Sequence, residues 1–194
     1  MQTVKPISQR SHFTMGVISQ FLYVAAQTGI FSFFINYAVA NVNQLSDRAA
    51  GNLQALAFAL FAGGRLVGSA VVGLTKPHKA LATYAVINTV MMVVAMAGGG
   101  WAGVIGIMGS FFFMSIMFPT IFALSIRGLG EHTKFGSSLL VMSVVGGAIM
   151  TPLMGFIADK GGMRVGFIIP LICFAFIAFY GACWQKLETK DAQI

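Results

Sequence analysis

Three polar side chains, Gln20, Tyr23 and Gln27, interrupt an otherwise apolar stretch near the start of the chain. At about 100° per residue they fall within about 60° of one helical face, and Phe31 and Phe34 continue the stripe. Amides and a phenol beside aromatic rings suit a sugar, whose hydroxyls exchange hydrogen bonds with the amides while its C–H face packs on the rings. The same residues would also serve as bonds between neighbouring membrane helices. Asn88 adds one more amide in a later apolar run, open to either use.

A second group of residues bends or ties helices. Pro119 has no N–H and frees a carbonyl one turn earlier; such kinks serve structure at least as often as function, but their neighbours, here Met117, Phe118 and Thr120, can reach a central site. The pair Gly146 and Gly147, with Thr151 and Pro152, carries the same implication into the next run. Arg65, in GGRLVGSAVVGL, is the one charge inside an apolar run. It lies about 13 Å from the end of its helix. Two readings are open for it: snorkelling to the interface, or a structural tie to carbonyls or to an acidic partner. Gly64 and Gly68 around it form a small-xxx-small pair that permits close helix packing.

What is missing is equally informative. Asp47, Glu131, Asp159, Glu188 and Asp191 all fall in loops, span ends or the tail, and His12, His78 and His132 lie near span ends. Proton relays in membranes are built from buried acids or histidines, so this chain carries no proton-coupling group of its own. Cys173 and Cys183 are about 15 Å apart along one helix, too far for a disulfide, and are read as free thiols. No catalytic residue, metal site or cofactor is expected, and the chain is not an enzyme.

These side chains need elements to hold them. Of 194 residues, 57% are hydrophobic and 9% are charged, against about 25% charged in a soluble domain. Too little polar surface remains to cover a water-soluble core. Six apolar runs, at 13–40, 50–74, 80–98, 101–126, 136–158 and 165–184, are each near the ~20 residues that cross a bilayer as a helix. The expected fold is therefore an all-α membrane protein, with residues 1–194 forming a single six-helix bundle in the lipid bilayer. The net charge of +7 reflects orientation rather than nucleic-acid binding. Lys5, Arg10, Lys76, Lys79, Arg127, Lys134, Lys186 and Lys190 lie on one side, and only Arg48, Lys160 and Arg164 on the other. The positive-inside rule then places both termini in the cytoplasm. Trp101 and Trp184, at span ends, suit interfacial anchoring.

Four strings carry a family resemblance: ISQFLYVAAQTGIFSFFINYA, GRLVGSAVVGLTKPHKALATYA, SIMFPTIFALSIRGLGEHTKFGSS and VMSVVGGAIMTPLMGFIADKGG. Together they resemble the fucose–galactose–glucose/proton symporter family, a branch of the major facilitator superfamily, and most of all its L-fucose permeases. The resemblance covers about 16–159 and matches the C-terminal six helices of a twelve-helix transporter. It implies proton-driven uptake of a hexose or deoxyhexose such as L-fucose, glucose or galactose across the bacterial inner membrane. It also implies that the proton-coupling carboxylates belong to an N-terminal half, supplied by a missing segment or a second chain. Two positions depart from the L-fucose permeases, which place a Trp at Phe31 and a Tyr at Phe118; other members carry Phe-Pro at the latter. The loop at 73–79 lacks the acid of the superfamily's loop motif.

The sugar contacts expected are Gln20, Tyr23, Gln27, Phe31, Asn88 and Phe118, with Pro119 shaping the helix. Two rival readings are a half-length remnant that does not transport but packs against a partner, and a different facilitator such as a drug exporter.

Overall fold

The computed structural model describes residues 10–192. Among them, six helical segments are long and apolar enough to cross a membrane. The first three are single helices: α1 (Ser11–Asn41), α2 (Asp47–Leu74) and α3 (Pro77–Gly98). The other three are each broken. The fourth comprises α4 (Gly100–Met114) and α5 (Met117–Ile126). The fifth begins with a 3-10 turn (Gly130–His132) and continues as α6 (Thr133–Met142) and α7 (Val145–Gly161). The sixth comprises α8 (Met163–Gly166) and α9 (Ile168–Ala192). Local signals explain several boundaries. Ser46 caps α2 by accepting from the Ala49 N–H, Pro77 opens α3, and Gly99 ends it at φ 56°.

The breaks in the fourth and fifth spans share a device. Ser115 Oγ donates to the Phe112 carbonyl at 2.7 Å, and Ser143 Oγ donates to the Leu140 carbonyl at 2.5 Å. Each hydroxyl folds back three residues and competes with the helical ladder at its own break. The fifth span therefore breaks before the glycine pair, and Pro152 sits inside α7 without ending it. Gly146 and Gly147 serve close approach instead. A Cβ at Gly146 would collide with the Phe21 carbonyl, and one at Gly147 would lie 2.6 Å from Thr28 Oγ1. The break at Phe167 in the sixth span was not foreseen; Pro170 follows it and has no N–H for the Gly166 carbonyl.

α1 lies at the centre and packs on α9, α7, α5, α4 and α2. At the end where α1 begins and α9 ends, a polar clasp ties it to α5 and α9. The His12 backbone N–H and Nδ1 both approach Asp191 Oδ2, at 2.9 and 2.8 Å, and His12 Nε2 lies 3.0 Å from the Arg127 carbonyl. Arg10 reaches the Gly128 carbonyl, and the Tyr180 hydroxyl donates to the His12 carbonyl. Trp184 belongs to this clasp rather than to a lipid-facing belt. It is 2% exposed, its Nε1–H donates to the Leu124 carbonyl, and its indole is stacked by His78 and covered by the Arg127 guanidinium. Trp101, near the start of α4, is 52% exposed. Cys173 is buried and Cys183 half-buried, both as free thiols.

Close packing makes neighbouring glycines of α2 unequal. A Cβ at Gly63 meets nothing within 4 Å, whereas one at Gly64 would lie 2.5 Å from the Phe112 carbonyl and 2.8 Å from Ser115 Oγ. Gly63→Ala is expected to be neutral or stabilising, since Ala is the better helix former. Gly64→Ala is expected to cost about 1–3 kcal/mol through overpacking. Thermal unfolding of the two variants in detergent checks the contrast; equal midpoints would contradict it.

Candidate functional site

The stripe on α1 is present, but its members differ in what they can do. Gln20 is 0% exposed, with neither amide atom partnered among the described residues. Tyr23 is also enclosed, and its hydroxyl donates to the Met114 carbonyl at 2.8 Å. Gln27 is half-buried, and its amide takes no partner among the described residues. Phe31, one turn further, is half-buried in a cage of three rings: Phe58 and Phe61 of α2 at 4.8 and 5.7 Å, and Phe111 of α4 at 4.8 Å.

The fourth span meets this stripe at its break. Phe118, just past the break, stands edge-on to Tyr23 with centroids 6.1 Å apart. Pro119 cannot give an N–H to the Ser115 carbonyl one turn before it. Arg65 of α2 fills that vacancy: its Nε–H points to the Ser115 oxygen at 3.4 Å, while the guanidinium lies over the Phe61 ring at 5.5 Å. Of the two readings open for Arg65, the structural tie to a carbonyl is the one observed. Gly64 and Gly68 make the tie possible, because both seat α2 directly on the break, against Phe112, Ser115 and Ile116. The small-xxx-small pair is thus engaged within the chain.

Two groups thus meet at the break: Phe118 with Tyr23, and Arg65 with Phe61 and Phe31, linked through the adjacent Met114 and Ser115 carbonyls into one strip, with Gln27 on the α1 face between Tyr23 and Phe31. Asn88 does not join it. Its amide donates to the Tyr84 carbonyl at 3.0 Å and points to Met117 Sδ at 3.3 Å, while its oxygen accepts from Ser110 at 2.6 Å. Fully buried and engaged at both ends, Asn88 is a joint between α3 and the fourth span. Sequence reasoning missed Gln54 and Phe58 of α2. Gln54 Nε2–H donates to the Phe31 carbonyl at 2.6 Å. The signal was available: Gln54, Phe58, Phe61 and Arg65 repeat within about 60° of one face, as the α1 residues do. The strip as a whole offers an amide, ring faces and a partly exposed cation, a set that can bind a polyhydroxylated ligand but contains no acid or nucleophile for covalent chemistry.

The tie between Arg65 and the Ser115 carbonyl makes a specific energetic prediction. Arg65→Met leaves that carbonyl without its donor and is expected to lower stability by about 1–2 kcal/mol. Pro119→Ala restores a backbone N–H one turn away. In that background Arg65→Met should cost less, a coupling of about 0.5–1.5 kcal/mol in a double-mutant cycle of detergent unfolding. Additive effects would show that the two residues act independently.

No protein-family model matches the chain. Over 180 residues it is 39% identical to the L-fucose-proton symporter of Escherichia coli (strain K12), a match that takes in 92% of this chain and 41% of the relative. It is 37% identical over 179 residues to a glucose/galactose transporter of Brucella abortus, covering 92% of this chain and 43% of the relative. In fold it matches the crystal structure of a major facilitator superfamily transporter, FucP, in the outward conformation. That match has a TM-score of 0.89 at 38% identity and covers 91% of this chain and 43% of the other. A variant of the E. coli fucose:proton symporter FucP gives a TM-score of 0.90 at 37% identity, covering 92% and 44%. The chain therefore spans less than half the length of the curated relatives it matches, and those relatives are transporters by name. In sequence and in fold, this chain is similar to the L-fucose-proton symporters and glucose/galactose transporters, and its six spans match less than half of a major facilitator superfamily transporter.

Proposed function

We propose that residues 1–194 act as a single six-helix unit of a proton-coupled sugar transporter and provide one wall of its sugar path. The observation that carries this reading is Gln27. It is a half-buried amide with no partner among the described residues, one turn from the aromatic cage of Phe31 and one turn from the Tyr23–Phe118 pair. An amide left open inside a membrane bundle costs free energy unless water or a ligand satisfies it. The relatives, named for L-fucose, glucose and galactose, support a hexose or deoxyhexose as that ligand. Phe31 gives the sugar an apolar face, Phe118 and Tyr23 border it, and Gln27 hydrogen-bonds a hydroxyl.

Proton coupling belongs, in this proposal, to a further six-helix half on the same or another chain, because the acids here sit at helix ends. The excess of Lys and Arg at the end with both termini supports a cytoplasmic position for them in a bacterial inner membrane.

Sugar counterflow in proteoliposomes of the transporter that carries this chain tests the reading, with L-fucose, D-galactose and D-glucose as substrates. Gln27→Ala is expected to raise KM for the transported sugar about 3- to 10-fold, the value of one neutral hydrogen bond, while membrane insertion is unchanged. Unaltered kinetics in a well-inserted variant would remove Gln27 from the site. Absence of exchange with all three sugars would favour the remnant or drug-exporter readings.

A further inference from the structure

α2 is held to the bundle in two different ways. Only 17% of its apolar window is buried, and its buried positions, Ala50, Ala57, Gly64 and Gly68, are all small. Gly64 and Gly68 seat it on the fourth span. Toward α1 the contacts include aromatic rings and one polar bond. Phe58 and Phe61 meet the ring of Phe31, and the Gln54 amide donates to the backbone carbonyl of that same residue at 2.6 Å. Phe31 is thus fixed twice from α2, through its ring and through its main chain. Phe58 is itself 42% exposed, so the cage is open on one side.

We propose that Gln54 is a positioning residue for the Phe31 ring and thereby sets how tightly the transporter holds its sugar. The inference rests on the reading of Phe31 as a sugar platform. The Gln54 amide lies on the carbonyl side of Phe31 and acts through it. Dispersion contacts between a ring and a C–H face fall off steeply with a gap of 0.5–1 Å. A platform whose backing rings can slide loses that contact, and a site held loosely by its supporting residues loses affinity. A hydrogen bond from a helix with few other grips fixes the spacing of α1 and α2 at the level of the cage. An amide with nowhere else to bond in lipid is well suited to hold it.

Gln54→Met keeps the length and apolar volume of the side chain and removes the donor. In sugar counterflow it is expected to raise KM about 3- to 10-fold with kcat within about twofold. Gln54→His, which retains an N–H of similar reach, should recover most of the loss. The deciding measurement is the same substitution in a Phe31→Leu background. There Gln54→Met should change KM by less than about twofold, because no ring remains to position. A full additional loss in that background, or an unchanged KM in Gln54→Met alone, overturns the proposal. Should Gln54→Met fail to insert, Gln54→Asn, polar but too short to reach the carbonyl, is compared with Gln54→His in its place. Gln27→Ala run in parallel separates the two readings. If it raises KM and Gln54→Met does not, only the role of Gln54 fails. If the parent transporter exchanges no sugar, both fail.

Discussion

A carbonyl with no helical donor, placed inside a bilayer, is the constraint on which much of this chain depends. Pro119 removes the N–H that would serve the Ser115 oxygen, and hydrocarbon offers no water in its place. Left open, such a group costs about 1–3 kcal/mol. The donor comes from Arg65, so α2 has to carry a cation within its span and approach the break closely enough to use it. Gly64 and Gly68 permit that approach, Phe61 gives the guanidinium a ring to lie on, and Tyr23 supplies the neighbouring Met114 carbonyl from α1. One missing hydrogen is therefore answered from the second span, beside a neighbouring carbonyl served from the first.

The same economy of partners decides which polar residues are structural. Asn88, Tyr23, Ser110 and Ser143 all end in hydrogen bonds inside the bundle. So do the groups of the clasp formed by His12, Asp191 and Arg127, which draws α1, α5 and α9 together at the end where α1 begins and α9 ends. Glu188 joins it through Arg127 at 3.1 Å. A residue whose bonding capacity is filled from within has little left for a ligand, and this separates Asn88 from Gln27 although both are amides within spans.

Length and hydropathy made the six spans legible, because a run of twenty apolar residues has few other uses. The break at Pro119 was legible because proline removes a donor by its covalent structure alone. Other features were not, since they depend on what faces each residue across a gap. Gly146 and Gly147 looked like weak points in a helix, but the nearness of Phe21 and Thr28 makes them contact surfaces. Trp184 had the spacing of an interfacial anchor, yet His78 and Arg127 enclose it. Gln20 shares the face of Gln27 by angle but lies at a depth where the neighbouring spans close over it. Gln54 escaped notice because its partner is a backbone oxygen, which every residue has and no sequence pattern marks.

In the proposed reading, the distribution of charge bears on how this chain takes part in coupled transport. Asp47, Asp159, Glu188 and Asp191 lie within about one turn of a helix end and Glu131 within the 3-10 turn, and Glu188 and Asp191 are engaged in the clasp. The strip from Phe118 to Phe31 contains a cation and an amide but no carboxylate. In the proposed reading, a sugar held by this strip and a proton held by another half share no bond. Their coupling then has to pass through the equilibrium between two arrangements of the halves, each ligand favouring the same arrangement by its own differential affinity. Such a mechanism asks this half to keep its internal geometry while it moves. The filled hydrogen bonds at the break of the fourth span and at the clasp serve that end, since polar groups satisfied from within at those two places can move with the body without being exposed to lipid.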